Sequence, residues 1–558
     1  MRSPLRRLGY TVSGTVGLAA AGLLLGALLP EAAAQIRFRD VAADAGVEFV
    51  LESRPTPRKL MIEAVAGGVA AFDADSDGLI DIFFTNGADG TLLRKQGERH
   101  WNRLFRNLGD MRFADITEDA GVAGRGYSMG AAAADYDNDG DADLFVAGVR
   151  ANILLRNDGQ GAFSDVTAEA GIASDHWSVA AGWFDYDRDG LLDLLVVNYL
   201  DWSPREERFC GDRDRGLRIY CSPTYFGGLP NSLHRNAGDG TFEDVSEASG
   251  IADHVGKGMS VAFADYDLDG WIDAFVTNDT EADFLFRNLG DGTFEEVGLL
   301  AGAGLASDGS PVSSMGVDFR DYDNDGLPDI HVTALHRQTF PLFRNVGGGQ
   351  FEDATAMSGL HALTVARSGW ANAFVDLDND GLRDLFVATS HVNDLAEEFE
   401  NTEYLQPNAV FRNTPDGGFR DASASAASFP RAAHRGAAFA DFDGDGRVDV
   451  VASAIGSPAQ LWRNTSPVEN QWLAVRLQGE TSNANGIGAI VRVGDQTAMA
   501  TSAVGYASSS LGPVHFGLGT APNVSEIIVE WPGGARQRVI VSELNRVVTV
   551  REAGGGVR

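Results

Sequence analysis

Short apolar runs recur along the chain, each broken by a turn signal. Ser178–Phe184 is small and apolar and runs straight into an acidic loop; Leu192–Asn198 leaves that loop and is apolar on both faces. A third run, usually Leu-Phe-Arg-Asn, follows in every repeat and ends at Asn107, Asn157, Asn236, Asn288, Asn345, Asn413 and Asn464. A Gly-Asp-Gly turn such as Gly290–Gly292 then marks a hairpin. The fourth run resembles Phe-x-Asp-Val-Thr-x-x-Ala-Gly and begins at Phe38, Phe113, Phe163, Phe242, Phe294, Phe351 and Phe419. Runs this short, bounded by Gly and Asp, predict strands. Four strands per unit of about 50–60 residues, in seven copies, predict an all-β fold built as a seven-bladed β-propeller. The Phe38 run precedes the first acidic loop, and nothing equivalent follows Asn464. The last blade, residues 436–464, is therefore expected to take its fourth strand from residues 36–41, which closes the ring and removes an open sheet edge.

The acidic loops share one spacing, Asp-x-Asp-x-Asp-Gly-x-x-Asp. Its four carboxylates are Asp73, Asp75, Asp77 and Asp81 in the first copy and Asp135, Asp137, Asp139 and Asp143 in the second. Asp185, Asp187, Asp189 and Asp193 form the third, and Asp265, Asp267, Asp269 and Asp273 the fourth. The fifth has Asp321, Asp323, Asp325 and Asp329; the sixth Asp376, Asp378, Asp380 and Asp384; the seventh Asp441, Asp443, Asp445 and Asp449. Four carboxylates around one point repel without a counter-ion, and oxygen donors in this number suit Ca²⁺, in up to seven sites. A helix-loop-helix calcium site needs Glu at position twelve. Here that position is apolar (Phe84, Val146, Val196, Val276, Val332, Val387, Ala452), which continues a strand and places the loop in a β-hairpin. The competing reading, solvated turns using Asp for local hydrogen bonds, weakens with each identical copy.

These repeats resemble the FG-GAP/VCBS repeats of the integrin α-subunit propeller. The resemblance implies Ca²⁺ held in loops on one face of the ring. After Asn464 the repeats stop. Apolar runs at Trp472–Leu477, Ile487–Val493, Ile527–Trp531 and Val547–Val550 predict a small β-sandwich-like domain. Within it Ser482–Ala489, His515–Gly519 and Val529–Gly534 resemble the ASPIC/UnbV domain, with Ala484 where that family usually carries a basic residue. Together the segments are similar to the cartilage acidic protein family and its bacterial relatives. His515, beside Phe516 and two Gly, reads as structural.

Composition sharpens this picture. The chain has 558 residues, Asp+Glu 79 against Lys+Arg 44, and a formal net charge of −35. Phosphate backbones need clustered cations, so nucleic acid is not an expected partner. Arg2, Arg6 and Arg7 precede an uncharged stretch to Pro30 and the small residues Ala32–Ala34. That reads as a signal peptide over 1–34, ahead of a propeller over 35–464 and the C-terminal domain over 465–558. A retained anchor is the alternative, because the uncharged run is long enough to span a bilayer; after cleavage no membrane span is expected. The location is then secreted, extracellular or periplasmic. Cys210 and Cys221 are the two cysteines; in an exported protein they predict a disulfide across a local loop, with free thiols as the alternative.

Residues before a first strand, or just after a second, fall on the face opposite the Asp loops. They include Glu63, His176, Arg367 and His434 before first strands, and His336 and His391 after second strands. They form either a polar funnel or a constellation able to bind a transition metal or move protons. The longest insertion, Tyr199–Pro230, holds the Cys pair and several aromatics and is expected to overhang that rim, capping a ligand or covering its own blade. Two function classes follow. One is a non-catalytic, Ca²⁺-binding adhesion-type module for a protein or glycan; the other is an exported enzyme using the rim His, Glu and Arg.

Overall fold

The computed structural model describes residues 36–205, 208–467, 469–520 and 524–553; the expected signal peptide lies outside them. Ala34–Arg558 forms one compact unit. Seven antiparallel sheets follow the repeats in order. Blade one contains Val69–Phe72, Asp81–Phe84, Arg103–Asn107 and Phe113–Asp115, and blade four contains Gly258–Ala264, Asp273–Asn278, Phe284–Asn288 and Phe294–Glu296. Blade seven has three strands of its own, His434–Ala440, Asp449–Ala454 and Gln460–Asn464. Its fourth is Phe38–Asp40, paired antiparallel with Phe38 opposite Asn464.

Two features of the repeat build the ring. The ninth-position Asp is fully buried and accepts two backbone N–H groups. Asp273 takes Tyr266 N at 3.1 Å and Asn288 N at 2.8 Å, and Asp81, Asp143, Asp193, Asp329, Asp384 and Asp449 repeat this. The Asn that ends each third strand donates across the blade boundary to the second-position carbonyl of the preceding loop. Asn288 reaches Tyr186 O at 2.8 Å, and Asn107 of blade one reaches Phe442 O of blade seven at 2.8 Å, so the staple runs around the closed circle. Asn157, Asn236, Asn345, Asn413 and Asn464 complete it.

The C-terminal segment forms two sheets, Val514–Gly519 with Gln471–Gln478 and Arg546–Arg551, and Gln496–Met499 with Ile490–Val493, Glu526–Glu530 and Arg536–Ile540. Leu473, Val475, Val491, Phe516, Ile527 and Val529 fill the space between them. One stretch departs from the sequence expectation. Ala503–Ser510 leaves the sandwich as a tight hairpin and enters the propeller channel, where Ser508–Ser510 pairs in parallel with Val69–Phe72. The inner strands present unpaired backbone groups, and this plug satisfies them. Ala131 N donates to Ala507 O and Val317 N to Gly505 O, while Ala133 N and Phe439 N donate to Ser509 Oγ and Ser510 Oγ. Gly68 makes room for it, since a Cβ there would lie 2.2 Å from Ala507 O.

Candidate functional site

Each Asp loop adopts the same path. Position six is Gly in the left-handed region throughout, from Gly446 at φ 86° to Gly140 at φ 100°. Position four is left-handed too: Ser76, Asn138, Arg188, Leu268, Asn324, Asn379 and Gly444 lie between φ 58° and 73°. The turn lets the first Asp accept the sixth-position N–H, as Asp376 Oδ2 does from Gly381 N at 2.8 Å. The fifth Asp accepts the seventh N–H, as Asp380 Oδ1 does from Leu382 N at 2.9 Å. These bonds leave oxygens over. Asp75, Asp137, Asp185, Asp265, Asp321, Asp378 and Asp443 each keep a buried carboxylate oxygen without a hydrogen-bond donor, one such residue in every loop. In several loops three carboxylates bring an oxygen each within 4.8 Å of one another, among them Asp73, Asp75 and Asp81, and Asp185, Asp187 and Asp193. Groups of this kind can hold a metal ion.

Burial dominates the electrostatics. It pushes Asp143 and Asp329 up to about 9, Asp81, Asp135 and Asp185 up to about 7, and Asp265, Asp321 and Asp441 up to about 6. Neighbouring loop carboxylates raise them further, and backbone N–H groups offset part of the effect. The third-strand Arg supplies some positive charge from outside. Arg344 Nε lies 2.9 Å from Asp323, Arg412 Nε 2.9 Å from Asp378, and Arg235 Nε 2.7 Å from Asp187. Arg156 of blade two turns instead to Asp158. The repeat spacing does not reveal these roles of the Arg and Asn of Leu-Phe-Arg-Asn, although both residues recur after every acidic loop.

The C-terminal sandwich docks on this loop face. Its Ser482–Asn485 turn meets blade two, where Asp135 N donates to Asn485 Oδ1 at 2.8 Å and Ala484 N donates to Asn138 Oδ1 at 2.7 Å. The missing basic side chain at Ala484 thus falls at a backbone contact. His515 lies 3.1 Å from Gly446 O through Nε2 and stacks on Trp472, the structural role expected of it.

The repeats match the model of the FG-GAP-like repeat at residues 73–146, 135–196, 219–276, 265–332, 321–387 and 395–452, which is more than half of the chain. The chain belongs to the FG-GAP-like repeat family. The ASPIC and UnbV model matches residues 479–557 of this FG-GAP protein. Human cartilage acidic protein 1 is 25% identical over 340 residues, covering 58% of this chain and 48% of its own length. The Xenopus tropicalis protein of that name is 27% identical over 302 residues, covering 50% and 42%. The chain spans about half the length of the curated relatives it matches. A solved Agrocybe aegerita lectin, described as recognising non-reducing terminal N-acetylglucosamine, is 18% identical with a TM-score of 0.38, covering 70% of this chain and 86% of its own.

On the opposite rim of the FG-GAP ring the six expected residues do not all meet. His434 is fully buried, its Nδ1 3.1 Å from Thr389 O and its Nε2 3.1 Å from Gln460 Oε1; burial pulls it down to about 4. His176 stays within blade three, 3.3 Å from Asn198. Arg367 turns outward to Asp421 at 3.0 Å and over the Phe411 ring. Those three are packing and pairing residues.

His336 and His391 do converge, on a residue the sequence did not single out: His336 Nδ1 and His391 Nε2 each lie 3.6 Å from the Glu400 carboxylate. A transition metal between them conflicts with the protonation this geometry sets. His391 Nδ1 accepts Asn393 N–H at 3.1 Å, so the neutral ring keeps its proton on Nε2, the atom a metal would need bare.

The insertion crosses the rim rather than covering only its own blade. Cys210 and Cys221 form a disulfide beside the hairpin of Cys210–Asp212 and Leu217–Ile219. Tyr220 OH donates to Glu63 at 3.3 Å, and Arg215 pairs with Glu398 at 2.5 Å beyond blade six. Glu63 also accepts Thr56 Oγ1 at 2.6 Å and Thr56 N at 2.9 Å; burial raises its carboxyl above the usual range.

Proposed function

We propose that this chain is an exported, calcium-loaded propeller acting as a non-catalytic binding module for a protein or glycan. The observation that carries the calcium reading is the buried, donorless carboxylate oxygen found in every Asp loop. The loop side chains offer oxygen alone, with no His or Cys, which favours a hard cation over a transition metal. Positions one and three would hold the ion, joined by position five in blades four and five and by the ninth Asp, whose oxygens already accept two N–H groups, in blades one to three. Bound Ca²⁺ supplies positive charge to carboxylates that burial otherwise drives toward protonation.

Residues 1–34 are read as the export signal, 35–464 as the propeller and 465–558 as the C-terminal domain, with Ala503–Ser510 inserted in the channel. A disulfide fits an extracellular or periplasmic location. The sandwich takes contacts on the loop face, so the partner is assigned to the opposite rim and its disulfide-bound flap. Non-catalytic binding is favoured over rim chemistry because Glu63 and His434 are already occupied by neighbouring residues. The net charge of −35 sets nucleic acid aside.

Equilibrium dialysis with metal analysis tests the reading. The mature chain should take up as many as seven Ca²⁺ with affinities in the ~10⁻⁴–10⁻³ M range of extracellular modules, and Asp323→Ala should lose one of them. A chain that stays free of Ca²⁺ at millimolar concentration contradicts it.

A further inference from the structure

Between the sandwich and the loop face lies a cavity of about 220 Å³. It runs over the channel mouth from Arg320 of blade five, past Phe374 of blade six and Phe439 of blade seven, to Ile80 of blade one. The C-terminal segment lines it with Met499, Val504 and Val514. A second cavity of about 240 Å³ continues toward blade four and shares Arg320, Arg383, Ala498 and Met499 with the first, so both guanidiniums stand where the two meet.

The walls are mainly apolar; among their polar groups Asp376 and Asp441 accept N–H groups of their own loops, whereas Arg320, Arg383 and Thr501 are less fully engaged. Arg320 is held by Asp318 through Nε at 2.9 Å, and its two terminal nitrogens have no partner among the described residues. Arg383 is buried and donates only to neutral acceptors: Asp321 O, Asn324 Oδ1 and Thr497 O, the last at 2.8 Å. It has no ion pair among the described residues; Asp321 is its strongest charged neighbour, Arg320 opposes it with like charge, and Asp376 and Asp318 add further negative charge. Thr501 Oγ1, also on the wall, is buried without a partner. Taking guanidinium groups out of water is costly, and the terminal nitrogens of Arg320, free of partners among the described residues, match a carboxylate in bidentate fashion.

We propose that this cavity is a binding site for a small apolar carboxylic acid, aliphatic or aromatic, with its carboxylate on Arg320 beside Arg383 and its apolar body against Phe374, Phe439 and Met499. An apolar cavity of about 150 Å³ accommodates benzene, so the volume here takes a body of roughly ten non-hydrogen atoms. The acid binds as its anion: no bond is made or broken, and the site adds one negative charge to a paired positive cluster. Met499, unbranched and flexible, lets the wall adjust to different chains.

Isothermal titration of the folded mature chain in Ca²⁺ with octanoate, and with octanol as the neutral match, tests this. Octanoate should bind with one equivalent and at least about tenfold more tightly than octanol. Arg320→Met should bring octanoate down to the octanol level. Asp318 would then lose its partner, so Ala498→Phe serves as the second variant: it fills the junction of the cavities without touching the ion pair and should abolish binding of both probes. Near-ultraviolet circular dichroism and Ca²⁺ content verify that each variant is folded and loaded. Octanol binding as tightly as octanoate, folded wild type giving no heat with octanoate, or Ala498→Phe binding like wild type would each overturn the proposal.

Discussion

Leu268 holds the fourth position of its Asp loop at φ 59° and is 58% exposed. A left-handed backbone costs an L-residue with a bulky side chain roughly 1–2 kcal/mol, whereas Asn tolerates it. Blades two, five and six carry Asn138, Asn324 and Asn379 at the same point. Leu268→Asn should therefore stabilise the protein by about 0.5–1 kcal/mol, read as a higher urea midpoint at unchanged slope; an unchanged or lower midpoint means the loop is not strained there. At this scale the sequence is legible where spacing alone decides. The metal-type carboxylates and the sixth-position Gly follow from the repeat, but the backbone at position four does not, because five different residue types occupy it.

The element scale is where the repeat explains most. Each blade is stitched by its ninth Asp and tied to the preceding blade by its terminal Asn, so neighbouring blades share buried hydrogen bonds as well as apolar contact. The join between first and last blades rests on Phe38–Asp40. Deleting residues 36–41 should expose the Gln460–Asn464 edge and produce concentration-dependent oligomers in sedimentation velocity. A monomer with the parent unfolding curve would show that closure depends on the Asn staple instead. This closing strand could be anticipated because the repeat phase leaves one blade a strand short. The flap's overhang of the rim follows from its place after a second strand, but its contacts with Glu63 and Glu398 do not, since one insertion without a repeat partner carries no periodicity to fix its reach. The same holds for Glu400, which meets His336 and His391 from the connection between strands of blade six.

Across the whole molecule, the C-terminal segment and the propeller share one interior. Tyr506, at the tip of the plug, is fully buried, donates to Val65 O at 2.6 Å and meets the Trp370 ring edge-on at 4.9 Å; the Arg435 guanidinium lies 3.9 Å from the centre of that ring. Tyr506→Ala should cost about 3–5 kcal/mol, as large aromatic truncations in cores do, and should alter near-ultraviolet dichroism. Loss of less than about 1 kcal/mol would mean the plug is dispensable. Nothing in the run Ala503–Ser510 signals a channel plug, because small residues and Ser satisfy inner strands through geometry that no alternation reveals.

The calcium account makes a signed pH prediction. A carboxyl whose pKa folding raises contributes stability below its unfolded value of 3.8 and loses it as pH climbs through the folded value. Without Ca²⁺, the loop Asp groups raised to about 6 to 9 should therefore weaken the fold between about pH 5 and 9. With Ca²⁺ the same groups are ionised and paired, and falling pH should loosen the ion. Thermal unfolding across that range, in millimolar Ca²⁺ and after thorough chelation, measures both at once. The account predicts a midpoint roughly 10 °C or more higher with Ca²⁺ at neutral pH, and a gap that widens as pH rises. Coincident midpoints at every pH would contradict it.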